Sequence, residues 1–281
     1  MNALEIVNLS KSFPGFRLEG LDLTLPAGCI MGFIGENGAG KSTTIKLILD
    51  ILKKDSGTVR ILGKDNGQNI RLTKEDVGVV MDDVGLPECL TLKQIEKVMR
   101  HTFRNWDRDG FFVLAKKLSL PEGKPFKDFS RGMKMKLSIA VALSHGAKLL
   151  VLDEATSGLD PVVRDELLDV FNEFTRDSGN SVLISSHIVS DLEKICDYIA
   201  FLHKGKLMLC QEKDVLKEQY LFVHGTAEEV DGFDRSDVIG RKDGRFGTEA
   251  IVRREAVRPG MQTSPVSIEE LFVFMAKEEN K

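Results

Sequence analysis

The sequence has little of anything that would set it outside the ordinary globular proteins. No apolar run approaches the ~18 residues of a membrane-spanning helix. The opening stretch MNALEIVNLSKSF has neither the basic region nor the apolar segment of a secretion signal. A soluble, cytosolic chain is the expectation. Cysteine is scarce: Cys29, Cys89, Cys196 and Cys210 include no C-x-x-C pair, and with only five histidines a zinc site is not expected. The four are expected as buried free thiols, because cysteine packs as a small hydrophobe. Neither sign of charge dominates, with 39 Lys and Arg against 43 Asp and Glu. No nucleic-acid footprint is therefore expected, since that would need a clear basic excess. What remains is 281 residues, 42% hydrophobic, enough to bury a core and too apolar for disorder.

Periodicity organises the chain. Residues 3–9 and 18–25 alternate apolar and polar, as half-buried antiparallel strands do. The apolar run CIMGFIG (29–35) feeds a glycine-rich loop, after which Ile45, Ile48, Leu49 and Leu52 recur on one face of a predicted helix. Residues 58–62 and 77–81 read as strands, and 91–120 and 130–145 as mainly helical. LLVLD (149–153) and SVLIS (181–185) are continuous apolar strands of the kind buried on both faces of a parallel sheet. Asp160 caps a predicted helix with Pro161 at its first position, and residues 198–210 read as a hairpin. The alternation implies an α/β domain. After about residue 218 the texture changes: residues 221–281 hold nine Lys and Arg against twelve Asp and Glu. A last helix is announced by the capping box Ser267/Glu270 and the staple Val266/Leu271. The predicted division is a main domain over 1–218 and a small C-terminal accessory region over 219–281.

Chemistry enters with GENGAGKST, which fits G-x-x-x-x-G-K-[ST] between a predicted strand and a predicted helix. Its nine residues, Gly35, Glu36, Asn37, Gly38, Ala39, Gly40, Lys41, Ser42 and Thr43, are the candidate phosphate site. Glycines let backbone N–H groups curl around phosphate oxygens, and the helix adds its positive end. Lys41 is expected on the outer phosphates and Ser42 on Mg²⁺. Asp153 and Glu154 follow the buried strand 149–153, at the strand end where α/β sheets bind ligands. An Asp-Glu pair alone can merely start a loop. Beside a phosphate loop, Asp153 reads as a Mg²⁺ ligand through water and Glu154 as the group that orients or deprotonates an attacking water. Thr73-Lys74-Glu75-Asp76 mimics a guanine-reading pattern, but it precedes a strand instead of following one and reads as a solvated charged turn.

A second anion site follows. In FSRGMKMKLSIAVAL (129–143), Ser130 caps a helix whose first turn carries Gly132 and basic residues. One phosphate loop has no need of a second such site for itself. In this order of motifs the chain resembles the ATP-binding subunits of ABC transporters: Walker A (35–43), signature (129–133), Walker B (149–154), D-loop (157–160), and His187 in ISSHIVSDLEKICD. The resemblance spans about residues 3–215. It implies a P-loop NTPase fold of the ABC ATPase kind, with a RecA-like core, an antiparallel β subdomain, a helical subdomain over about 84–145 and the C-terminal appendage. It also implies that ATP and Mg²⁺ are bound between two subunits, the signature loop of one completing the site of the other. By the same resemblance Phe13 stacks on adenine, His187 contacts the γ-phosphate, and Asp160 bridges subunits. The implied partners are a membrane permease on the cytoplasmic face and a second ABC ATPase subunit, in a homodimer or heterodimer, with no nucleic acid.

Two departures mark this sequence. The family's LSGGQ is Phe129-Ser130-Arg131-Gly132-Met133 here, a form that resembles the bacterial antibiotic-export and resistance branch, including Ytr-type transporters. Asp82 stands where the Q-loop glutamine belongs; an aspartate oxygen can ligate Mg²⁺ as an amide does, but it is shorter. The competing reading is a soluble ABC ATPase acting on nucleic acid or ribosomes. Such proteins resemble tandem or coiled-coil-split cassettes, neither of which this single acidic cassette shows. A kinase or GTPase would have no use for the signature loop.

Overall fold

The structure is a computed structural model that describes residues 1–67, 74–81, 85–245 and 247–278. Strands β1 (Asn2–Phe13) and β2 (Phe16–Pro26) pair antiparallel, from Asn2 opposite Pro26 to Phe13 opposite Phe16. Alternation buries Leu4 and Ile6 on one face, and a register irregularity between Ile6 and Leu9 brings Leu9 into the core as well. The chain then enters β3 (Ile30–Gly35), all six residues of which are buried, and leaves it through the glycine-rich loop into α1 (Lys41–Ile48). The helix stops before Leu49 and Leu52, which the apolar spacing had included. Asn66, 2% exposed, donates from its side-chain amide to the carbonyls of Leu47 and Ile48 at 2.9 Å each. A residue distant in sequence thus satisfies the orphan carbonyls and ends the helix. Strands β4 (Ser56–Ile61) and β5 (Lys64–Asp65) complete the first sheet, ordered β2-β1-β4-β5.

A helical segment interrupts the α/β alternation after β6 (Val77–Val80). It contains α2 (Leu92–Thr102), α3 (Arg108–Lys117), a 3₁₀ turn at Phe126–Asp128 and α4 (Arg131–Leu143). The region predicted as mainly helical breaks at Phe103, which turns extended and stacks on His145 at 4.1 Å and 15°. No glycine or proline marks that break; the chain restarts at Asp107, whose side chain caps α3 by accepting the Gly110 amide at 2.9 Å. Then come β7 (Leu149–Asp153), α5 (Pro161–Phe174), β8 (Ser181–Ser186), α6 (Val189–Ile195), β9 (Tyr198–His203), β10 (Lys206–Glu212) and α7 (Lys213–Gln219). The central sheet runs β10-β9-β3-β8-β7-β6, parallel except for the β9–β10 hairpin.

This topology positions the chemistry. Strands β3, β8 and β7 are adjacent and parallel, so the loops leaving their carboxyl ends meet along one edge. One face of the sheet packs against α1 and the antiparallel sheet, the other against the helical segment and α5 and α6. The β9–β10 turn braces the phosphate loop from outside: the Gly205 amide donates to the Ala39 carbonyl at 3.0 Å and the Gly205 carbonyl accepts from Glu19. Gly205 has φ +81° and lies against the Arg17 carbonyl, leaving no room for a β-carbon.

The C-terminal part forms its own antiparallel sheet, ordered β12-β13-β11-β14. It comprises β11 (Tyr220–Gly225), α8 (Ala227–Asp231), β12 (Val238–Gly244), β13 (Gly247–Arg253) and β14 (Gln262–Pro265), and is closed by α9 (Ile268–Glu278). Ser267 and Glu270 exchange capping bonds of 2.9 and 3.1 Å beside the buried Val266 and Leu271. Helix α9 packs on α6, and Phe272 meets Phe201 of the central sheet edge-on at 5.2 Å. One apolar core therefore runs from the central sheet into the appendage.

The thiols differ from expectation: all four are free, but only Cys196 is buried, Cys29 and Cys210 are half-buried and Cys89 is exposed. Cys89 sits in the turn before α2, where packing does not reach it. Among the described residues no helix is long and apolar enough to cross a membrane. Of the guanine-pattern mimic, Thr73 lies outside the described residues, while Glu75 accepts the backbone amide of Arg104 at 3.1 Å.

Candidate active site

The phosphate loop is built from a buried strand end and a helix start. Gly35 closes β3, Gly40 caps α1 with φ +112°, and Gly38 also has positive φ. A β-carbon on Gly40 would come within 2.8 Å of Phe16 Cζ, so only glycine keeps the loop this close to β2. Glu36, Asn37 and Gly38 are exposed, Ala39 and Gly40 buried, and Ser42 and Thr43 half-buried in the first helical turn. That turn carries no acidic residue, so its amide groups and dipole face an anion without competition. Lys41 is 5% exposed; its Nζ donates to the Gly35 carbonyl at 2.7 Å and the Glu36 carbonyl at 3.3 Å.

The carboxylates converge on this lysine. Asp153 ends β7, is 3% exposed, and accepts a 2.7 Å hydrogen bond from Ser185 Oγ. Glu154 follows with φ +52°, a left-handed conformation that costs a non-glycine residue roughly 1–3 kcal/mol and gathers at functional sites. Its amide is held by the Ser185 carbonyl at 3.2 Å and the Ser185 hydroxyl at 3.1 Å. The turn so made brings Glu154 Oε1 to 3.2 Å from Lys41 Nζ, and Oε2 to 2.7 Å from His187 Nδ1. A carboxylate only accepts, so the proton of that contact is on Nδ1. Lys41, Glu154 and His187, brought together here, come from the start of α1 and from the loops that follow β7 and β8.

Ser130 and Gly132 form a second locus. Ser130 Oγ accepts the Met133 amide at 3.2 Å and so caps α4. Asp160 Oδ1 accepts the Val163 amide at 3.0 Å and caps α5, with Pro161 in the first turn. Both caps line one cavity of about 260 Å³, together with Arg131, Gly158 and Leu159. That cavity includes no residue of the phosphate loop. Phe13, at the end of β1, is 38% exposed and tilts toward Phe16 at 6.4 Å between ring centres. Asp82 lies outside the described residues.

Sequence reasoning missed the supporting residues. Ser185 ties Asp153 to the Glu154 backbone, and its signal was only one of three serines in a buried strand. Phe16, one turn from Phe13, is the aromatic against the phosphate loop. His203 is 1% exposed, with neither ring nitrogen hydrogen-bonded and Nδ1 3.8 Å from Glu36 Oε2.

The oxygen donors suit a hard cation. Among the described residues no group of three or more His, Cys, Asp or Glu could hold a metal alone. Asp153 and the Ser42 hydroxyl are instead the sparse donors expected when Mg²⁺ is held jointly with a substrate's phosphates.

A phosphate loop, a strand-end carboxylate pair and a histidine just past the adjoining strand define a P-loop nucleotide hydrolase with an α/β core. The ABC transporter family pattern matches residues 18–157. The lantibiotic transport ATP-binding protein SrtF of Streptococcus pyogenes is 35% identical over 215 residues, 75% of this chain and 91% of that protein. The ABC transporter ATP-binding protein YtrB of Bacillus subtilis (strain 168) is 31% identical over 283 residues, 96% of this chain and 97% of that protein. A solved ATP-binding subunit of an ABC transporter superposes with a TM-score of 0.71 at 27% identity, over 77% of this chain and 92% of that one. The chain belongs to the ABC transporter ATP-binding family. It is an ATP-binding, ATP-hydrolysing subunit of an ABC transporter.

Proposed function

We propose that ATP is hydrolysed by a composite of two such subunits, with Glu154 as general base. The observation that carries this is the meeting of Glu154 with Lys41 at 3.2 Å and His187 at 2.7 Å. Lys41 and the loop amides hold the β- and γ-phosphates, and Phe13 stacks on the adenine. Ser42, and Asp153 through water, would hold Mg²⁺, which would neutralise charge on the phosphates. Glu154 takes the proton of the attacking water. His187 donates from Nδ1 to Glu154; donating from Nε2 to the γ-phosphate at the same time requires the doubly protonated ring. Ser130 and Gly132 reach the γ-phosphate of the facing subunit, and Asp160 bridges the two. Asp82 tunes the metal, so Asp82→Asn should raise the Mg²⁺ needed for half-maximal hydrolysis while ATP binding persists.

The subunit acts on a separate membrane permease from the cytoplasmic face, and the transport is export. Support comes from the names of the relatives: SrtF is described as a lantibiotic transport protein, and a 32% identical relative in Enterococcus faecalis, BcrA, as a bacitracin transport protein. These relatives weigh against a soluble ATPase acting on nucleic acid or ribosomes. Residues 1–218 form the ATPase domain, with its helical subdomain over about 84–145, and 219–281 the accessory region. The test is Glu154→Gln. Removing the charge while keeping the shape should lower hydrolysis by roughly 10²–10⁴-fold and leave ATP bound. Turnover at the wild-type rate would overturn the assignment.

A further inference from the structure

The near balance of charge over the whole chain hides a local basic excess. Residues 88–136 hold twelve Lys and Arg against six Asp and Glu, in a chain whose net charge is −4. Part of this excess surrounds a cavity of about 420 Å³ between α2 and α3. Lys93, Lys97 and Arg100 follow one face of α2, and Arg108 begins α3. On the floor lies Glu96, 5% exposed, whose Oε1 has no hydrogen-bond partner. That oxygen is 3.9 Å from Arg100 Nε and 3.9 Å from Arg108 Nε. A buried carboxylate must be compensated by charge, so Glu96 holds both guanidiniums at the cavity. Among the described residues neither guanidinium makes a hydrogen bond, and Lys97 has no ion-pair partner. Lys93 is neutralised by Glu122 at 3.1 Å. Three cations against one buried carboxylate leave a surplus of positive charge, and two guanidinium forks match the oxygens of a phosphate.

We propose that this cavity binds the phosphodiester headgroup of an anionic phospholipid. The choice of a lipid over a free phosphate rests on the membrane-attached role proposed above, and on the apolar residues the same two helices show to solvent. Val98 is 46% exposed and Val113 is 70% exposed. Basic residues interleaved with exposed apolar ones are the pattern of a surface that rests in a membrane interface.

The experiment is flotation of the full chain, without any permease, on vesicles of phosphatidylcholine alone or with about one third phosphatidylglycerol. Binding should need phosphatidylglycerol and weaken with salt. Arg100→Gln with Arg108→Gln should reduce partitioning roughly 25-fold, about fivefold per charge, with ATP hydrolysis unchanged. Because that pair also compensates Glu96, the exposed Lys97→Glu supplies a second variant that leaves the fold alone and should weaken binding as well. Equal binding to phosphatidylcholine, or wild-type binding by both variants, would overturn the proposal. So would displacement by inorganic phosphate beyond that of chloride at matched ionic strength, or retention on RNA without vesicle binding. Loss of hydrolysis with vesicle binding intact bears on the catalytic reading alone.

Discussion

Ser185 and Asp153 are joined at 2.7 Å, hydroxyl to carboxylate, at the paired ends of β8 and β7. The same serine receives the Glu154 amide on its hydroxyl and its carbonyl oxygen. One buried residue thus sets the direction of the Asp153 carboxylate and steadies the strained backbone of Glu154, the proposed metal ligand and the proposed base.

Ser185→Ala should therefore act on both. It leaves one Asp153 oxygen buried without its donor, a loss of roughly 1–3 kcal/mol that urea unfolding would measure. Hydrolysis should fall, with a raised Mg²⁺ requirement. Unchanged stability and unchanged Mg²⁺ dependence would make Ser185 a bystander.

The signature cavity gives a prediction about assembly. In a Glu154→Gln background, ATP should shift the protein from monomer to dimer on size exclusion. Adding Ser130→Arg should abolish that shift, since bulk and charge at the α4 cap would block a facing phosphate. Lys41→Ala should fail earlier, at nucleotide binding itself. A shift surviving Ser130→Arg would remove Ser130 from the interface.

The accessory region should be separable in function but not in stability. A chain ending near residue 218 is expected to keep the phosphate loop and bind ATP, yet it exposes Phe201 and the α6 face that α9 covers. Thermal unfolding should show a large loss. In the full chain, Phe272→Ala should cost about 3–5 kcal/mol, read by denaturant titration. Loss of ATP binding in a truncated chain that remains folded would tie the appendage to the site.

The thiols should react in order of burial. Burial pushes the Cys29, Cys196 and Cys210 thiols above the usual cysteine range, Cys196 furthest. A raised value favours the neutral thiol, and the thiolate is the reactive form. Titration with a disulfide reagent near pH 8 should modify the exposed Cys89 first, and Cys196 only on unfolding. Rapid modification of Cys196 in native protein would show that α6 opens from the sheet.

Much of this protein could be read along the chain because the decisive signals are local. The phosphate loop needs glycines at fixed offsets, the caps at Ser130, Asp160 and Ser267 are decided within four residues, and the buried strands announce themselves as apolar runs. Other features depended on residues that meet only after folding. Helix α1 ends where it does because Asn66 reaches its carbonyls, and Phe103, at the break in the helical segment, finds its stacking partner His145 only in the folded chain. The four thiols, alike in sequence, part ways according to which elements cover them.

The site divides in the same manner. The residue types at 41, 154 and 187 and their spacing to strands were determined by sequence alone, since each chemistry requires its own side chain at a fixed distance past a buried strand. That Lys41, Glu154 and His187 touch was decided by the order of β3, β8 and β7 in the sheet. Sheet order is a matter of long-range pairing and packing, which no local pattern encodes. Ser185, a hydroxyl that any strand can carry, acquired its place only when two parallel strands set it beside Asp153.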